Sequence, residues 1–123
     1  MITGLVRGGR EATIRVRVRG AGGQERDVET VIDTGFTGSV TLPLSLITSL
    51  GLPRAGWGKA ILADGSRIAF DLYEAMVIWD GQPRRVFAHE APSPLIGMKL
   101  LHGSELRIQV IDGGDVTIAP LTP

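Results

Sequence analysis

The 123-residue chain has no cysteine, which excludes disulfides, thiol nucleophiles and cysteine-ligated zinc together. It also lacks net charge. Thirteen basic side chains balance thirteen acidic ones, so no bulk field exists to hold nucleic acid or an anionic membrane surface. No apolar run approaches the length needed to span a bilayer, and Met1-Ile2-Thr3-Gly4-Leu5-Val6-Arg7 lacks the apolar centre of a secretory signal. The expected location is cytoplasmic, with neither a membrane nor a nucleic-acid partner. No low-complexity stretch or linker divides the sequence, and its length suits a single domain over residues 1–123.

Glycine and proline are plentiful. Seventeen glycines and seven prolines cut the chain into short segments that mostly alternate apolar with polar residues, the punctuation of a β protein. Residues 12–19 alternate cleanly, with Ile14, Val16 and Val18 on one face and Arg15, Arg17 and Arg19 on the other. That arginine row reads as the wet side of a strand. A turn at Ala21-Gly22-Gly23-Gln24 leads into a second strand at 28–32. A short strand follows at 39–42, and Pro43 and Gly51 bracket a helix of about two turns at 44–50. Further hairpins are predicted around Ala63-Asp64-Gly65-Ser66, 80–83 and 112–115, joining strands at 59–62 and 67–70, at 73–79 and 84–88, and at 106–111 and 116–119. A second short helix is expected at 98–102. These elements amount to an all-β fold, a small barrel or sandwich with one or two short helices.

The chemically informative stretch is Val31-Ile32-Asp33-Thr34-Gly35-Phe36-Thr37-Gly38-Ser39. A β-branched apolar pair runs straight into a carboxylate, and two glycines then bend the backbone. Burying a carboxylate is costly, so such a group normally has a partner or a purpose. Alternatively, Asp33 closes an Asx turn at a strand end and does nothing more.

With its surroundings the sequence resembles the retropepsin-like aspartic proteases, the retroviral proteases and their small bacterial and archaeal relatives. The likeness runs along almost the whole chain: a hairpin, the Asp33-Thr34-Gly35 loop, a hairpin placed like a flap, and then Pro94-Leu95-Ile96-Gly97-Met98-Lys99-Leu100-Leu101 in the position of the family's second loop-and-helix signature. The resemblance implies a small closed acid-protease barrel and an aspartic endopeptidase that uses no metal and no organic cofactor. Such an enzyme needs two carboxylates sharing a proton. Only Asp33 has the required setting, so the resemblance implies a homodimer that supplies the second Asp33 across a two-fold axis. It assigns Asp33 the attacking water, Thr34 a bracing contact across the axis, and Gly35 the close approach of substrate backbone. Phe36, Ile96 and Gly97 would border the substrate, and Ala63, Asp64, Gly65 and Ser66 would form the flap tip closing on an extended peptide bound by strand addition.

Several positions depart from the viral pattern. Phe36 stands where a small residue is usual, and Thr37 and Met98 replace both members of an ion pair. The flap tip is not glycine-rich, and Pro120 and Pro123 would interrupt a terminal strand of the viral type. His89 and His102 lack metal-ligand spacing and read as surface or supporting residues. Trp57 and Trp79 read as core or flap packing, and Glu90 and Glu105 have no setting suited to a glycosidase pair. A catalytically silent peptide-binding module on the same fold is the alternative function, and a structural β domain with a coincidental Asp-Thr-Gly is the third.

Overall fold

The computed structural model describes residues 1–122. In chain order the elements are β1 (Ile2–Arg7), β2 (Glu11–Arg19), β3 (Glu25–Ile32), β4 (Val40–Leu42), α1 (Leu44–Ser49), β5 (Arg54–Ile61), β6 (Arg67–Trp79), β7 (Gln82–Glu90), β8 (Leu95–Ile96), α2 (Met98–Leu101), β9 (Ser104–Ile108) and β10 (Asp115–Pro120). The fold is therefore mostly β with two short helices. All ten strands join one sheet in the order β5-β6-β7-β4-β8-β3-β2-β1-β10-β9, and β6 pairs additionally with β2.

Alternation along β2 decides which side faces the core. Ile14, Val16 and Val18 are buried and join one core with Val6 and Val77 of the adjoining β1 and β6 and with Val116 of β10. The opposite face is wet, as the sequence predicts. Arg17 pairs with Asp27 at 3.4 Å and Arg19 with Glu25 at 3.2 Å across the β2–β3 ladder, while Arg7 of β1 reaches Glu29. Exposed pairs of this kind contribute only a few tenths of a kcal/mol each, to roughly 1 kcal/mol at most. The hydrophobic face carries the stability.

β8 is two residues long but central. It runs parallel to Val31 and Ile32 of β3 and antiparallel to Val40 and Thr41 of β4, so it lies between the two strands that flank the 33–39 loop. The Thr41 hydroxyl donates to the Ser93 carbonyl at 2.6 Å and accepts from the Leu95 amide at 2.8 Å, which pins the start of β8 beside β4. Ile96 is fully buried there.

Several segments differ from the sequence reading. Ile2–Arg7, read only as a poor signal peptide, is a strand between β2 and β10. Its exposed and half-buried residues hide the pattern, because only Val6 is fully buried. β5 starts at Arg54 rather than at 59, and β6 continues unbroken through Asp71 and Leu72, because Arg54 pairs with the Asp71 carboxylate at 2.9 Å and Asp71 is tolerated within the strand. β9 ends at Ile108, short of the expected 111. The Gly113 amide donates to the Val6 carbonyl and the Val6 amide to the Gly114 carbonyl, so the loop turns to β1 instead of extending the hairpin. Helix α2 stops at Leu101, one residue early, before Gly103 at φ +84°. Pro120 ends β10 in register with Ser104 and β10 pairs with β1 of the same chain; Pro123 lies outside the described residues.

The tryptophans divide. Trp79 is core, whereas Trp57 is 59% exposed on β5. No helix among the described residues is long and apolar enough to cross a membrane.

Candidate active site

β3 delivers Asp33 at the point where its apolar run ends. The Gly35 amide donates to Asp33 Oδ1 at 2.9 Å and the Phe36 amide to the Asp33 carbonyl at 3.1 Å, an Asx turn that fixes the carboxylate's orientation. One oxygen is thereby held, leaving the other for further chemistry. Asp33 is half-buried, while Thr34 and Gly35 are exposed.

The loop is locked from behind by the segment around β8 and α2. The Asp33 amide donates to the Ile96 carbonyl at 2.9 Å, and the Gly97 amide to the Ser39 carbonyl at 2.9 Å. The Met98 amide donates to the Phe36 carbonyl at 2.8 Å and the Lys99 amide to the Gly38 carbonyl at 3.1 Å. Segments about sixty residues apart thus satisfy each other's backbone groups, as segments leaving water must. Gly97 is needed for space rather than for dihedral freedom: its backbone is extended, yet an added Cβ would lie 2.5 Å from Phe36 Cδ2 and 2.7 Å from the Phe36 carbonyl oxygen.

Phe36 connects this loop to the flap-like hairpin. Its ring meets His89 edge-on at 5.1 Å between centroids, and His89 in turn lies 4.5 Å from Phe70 of β6. Gly58 on β5 faces the Phe70 ring, and a Cβ there would come within 2.7 Å of it. The hairpin tip itself is exposed. Asp64 Oδ1 accepts from the Ser66 amide at 2.8 Å and its hydroxyl at 2.5 Å, bonds that hold the Asp64 carboxyl below its usual range, and Gly65 takes φ +85°. Ala63, Asp64, Gly65 and Ser66 line neither of the two clefts described below.

Of the residues predicted from sequence, the structure brings together Asp33, Thr34, Gly35, Phe36, Ile96 and Gly97, and sets the hairpin-tip residues apart from them. Other aspartates are engaged elsewhere: Asp27 with Arg17, Asp71 with Arg54, and Asp80 with the N-terminal amine. Glu105 pairs with Arg107. Among the described residues no cluster of histidine and carboxylate side chains could hold a metal ion.

Sequence reasoning missed the aromatic chain Phe36–His89–Phe70. The only local signal is that His89 lies on the opposite face of β7 from buried Ala88. Its Nδ1 is buried without a hydrogen-bond partner. Burial lowers the affinity of His89 for a proton, the Lys99 charge adds to the effect, and the backbone of Val40 opposes it. Folding therefore keeps the imidazole neutral where an unfolded chain would bind a proton. The resulting stability is present above pH 6.5 and is lost as pH falls below it, until the folded imidazole itself protonates. Denaturant midpoints should fall in that window for the wild type and fall less for His89→Phe; parallel curves would mean that His89 is not the group responsible.

Two clefts adjoin the site. One of about 590 Å³ lies among Gly20, Leu52, Met76 and Phe87, and another of about 320 Å³ lies among Thr37, Gly58, Phe70 and His89. Neither is lined by Asp33, Thr34 or Gly35. No family model matches the chain, and no curated protein matches it.

Proposed function

We propose that the chain is one half of a retropepsin-like homodimeric aspartic endopeptidase that hydrolyses extended peptide segments. The observation that carries this reading is the interlock of the Asp33 loop with Ile96 and Gly97, in which an oriented carboxylate sits on an exposed turn braced by a strand lying between β3 and β4. Pairings that pass from β2 through β3, β8, β4, β7 and β6 and back to β2 support a closed acid-protease barrel. Exposure of Thr34 and Gly35 outside both clefts fits a surface awaiting a second copy. In the dimer one Asp33 would accept a proton from water while the other donates to the scissile carbonyl.

Phe36 favours a second reading, a peptide-binding module without hydrolysis, because its ring packs beside the carboxylate loop where the viral pattern leaves room. Cleavage of a diverse peptide library across pH, with and without a transition-state-mimicking aspartic protease inhibitor, separates the two. Inhibitable cleavage supports the enzyme; binding without cleavage supports the module.

The hairpin tip offers a narrower test. Gly65 holds a positive φ that valine adopts poorly, with open space around it, so Gly65→Val strains the turn without filling the core. Turnover should drop about tenfold, with a melting temperature within a few degrees of wild type, if the tip closes over substrate. Unchanged turnover would remove the flap role.

A further inference from the structure

The smaller cleft, about 320 Å³, lies between the base of the β5–β6 hairpin and the loop that follows Asp33. Thr37, Ser39, Lys59, Phe70, His89 and Lys99 contribute to its lining, and no aspartate or glutamate does. That is a local imbalance in a chain whose charges cancel overall. Among the described residues neither lysine is in an ion pair. The Lys59 ammonium rests 5.6 Å over the Trp57 ring, which leaves Lys99 as the cation without a partner. Its charge is felt at His89, which it helps to keep neutral. Phe70, Leu72 and Phe87 supply apolar walls, and because Lys99 itself is exposed an ion pair there is only partly shielded from solvent.

We propose that this cleft takes the carboxylate side chain of an aspartate or glutamate in an extended peptide, with Lys99 as its counter-ion. The position lies beside the scissile bond rather than at it, because Asp33, Thr34 and Gly35 do not line the cleft. Alternate side chains of an extended peptide point the same way, so one residue of the bound strand faces the cleft while its neighbours face elsewhere. This assignment rests on the endopeptidase reading for its placement, though not for its charge preference.

The test uses the full chain and matched peptides carrying glutamate or glutamine at each position around a cleaved bond. At one position glutamate should raise kcat/KM about three- to tenfold over glutamine, as one partly screened charge pair allows. Lys99→Gln should erase the preference and Lys99→Glu should reverse it toward glutamine. Equal kcat/KM for both peptides at every position would overturn the subsite while leaving the endopeptidase reading intact. If no peptide is cleaved, the same pairs are read by fluorescence anisotropy on the Asp33→Asn chain. Tighter binding of a glutamate peptide that Lys99→Glu abolishes then supports the subsite and counts against hydrolysis. Equal binding overturns the subsite.

Discussion

Asp33→Asn is expected to abolish peptide hydrolysis, to preserve the fold, and to make the variant chain suppress the wild type. Asparagine keeps the shape of aspartate and can still accept the Gly35 amide through its side-chain oxygen, so the Asx turn survives. It cannot ionise, so it cannot serve as the base that activates water. Hydrolysis should fall at least about a hundredfold, the lower end of what a positioned acid–base group contributes. The dominant effect follows from symmetry: each proposed site draws one Asp33 from each chain, and a mixed dimer holds only one. With nine variant chains for every wild-type chain, random pairing leaves activity per wild-type chain at roughly one-tenth. Subunit exchange is verified by mass analysis of tagged chains. Undiminished activity after verified exchange would mean that a single chain holds a complete site.

A large effect on stability is expected at Gly97. An alanine there adds one methyl group where Phe36 and the Gly38 carbonyl already stand, and the backbone on both sides is fixed by the bonds from Gly97 to Ser39 and from Met98 to Phe36. The clash involves main-chain atoms as well as a ring, so it cannot be relieved by side-chain rotation alone. Gly97→Ala should cost about 3 kcal/mol, at the upper end for overpacking, and lower Tm by roughly 10–15 °C. Gly51→Ala is the control: Gly51 has φ +62° with open space around it, and alanine there should cost about 1 kcal/mol from backbone strain alone. Thermal melts that rank Gly51→Ala as the worse variant would contradict the interlock.

Much of this molecule is legible in its sequence where signals are local. The β2–β3 hairpin and the tip at Asp64-Gly65 follow from period-two alternation and glycine turns, and helix α1 follows from Pro43 and Gly51. The pairing of the Asp33 loop with Ile96 and Gly97 is not legible locally, since no local rule says which strand fills the gap between β3 and β4. Strand β1 is not legible locally because its wet residues outnumber its buried one, and one of its two partners, β10, lies at the far end of the chain. The setting of His89 is hidden for the same reason: its aromatic neighbours, Phe36 and Phe70, arrive from different parts of the chain.

The order in which the chain is made bears on when Asp33 could act. Synthesis at about 5–20 residues per second releases the Asp33 loop several seconds before Ile96 and Gly97 emerge to close behind it. Until then β3 lacks β8, and β1, whose Ile2 pairs with Ile118, lacks its outer neighbour. An unfinished chain therefore carries the Asp33 turn without the main-chain bonds from Ile96 to Lys99 that brace it. On the proposed function, hydrolysis by Asp33 would wait until β8 has closed beside β3, so a chain cut before residue 95 should be inactive.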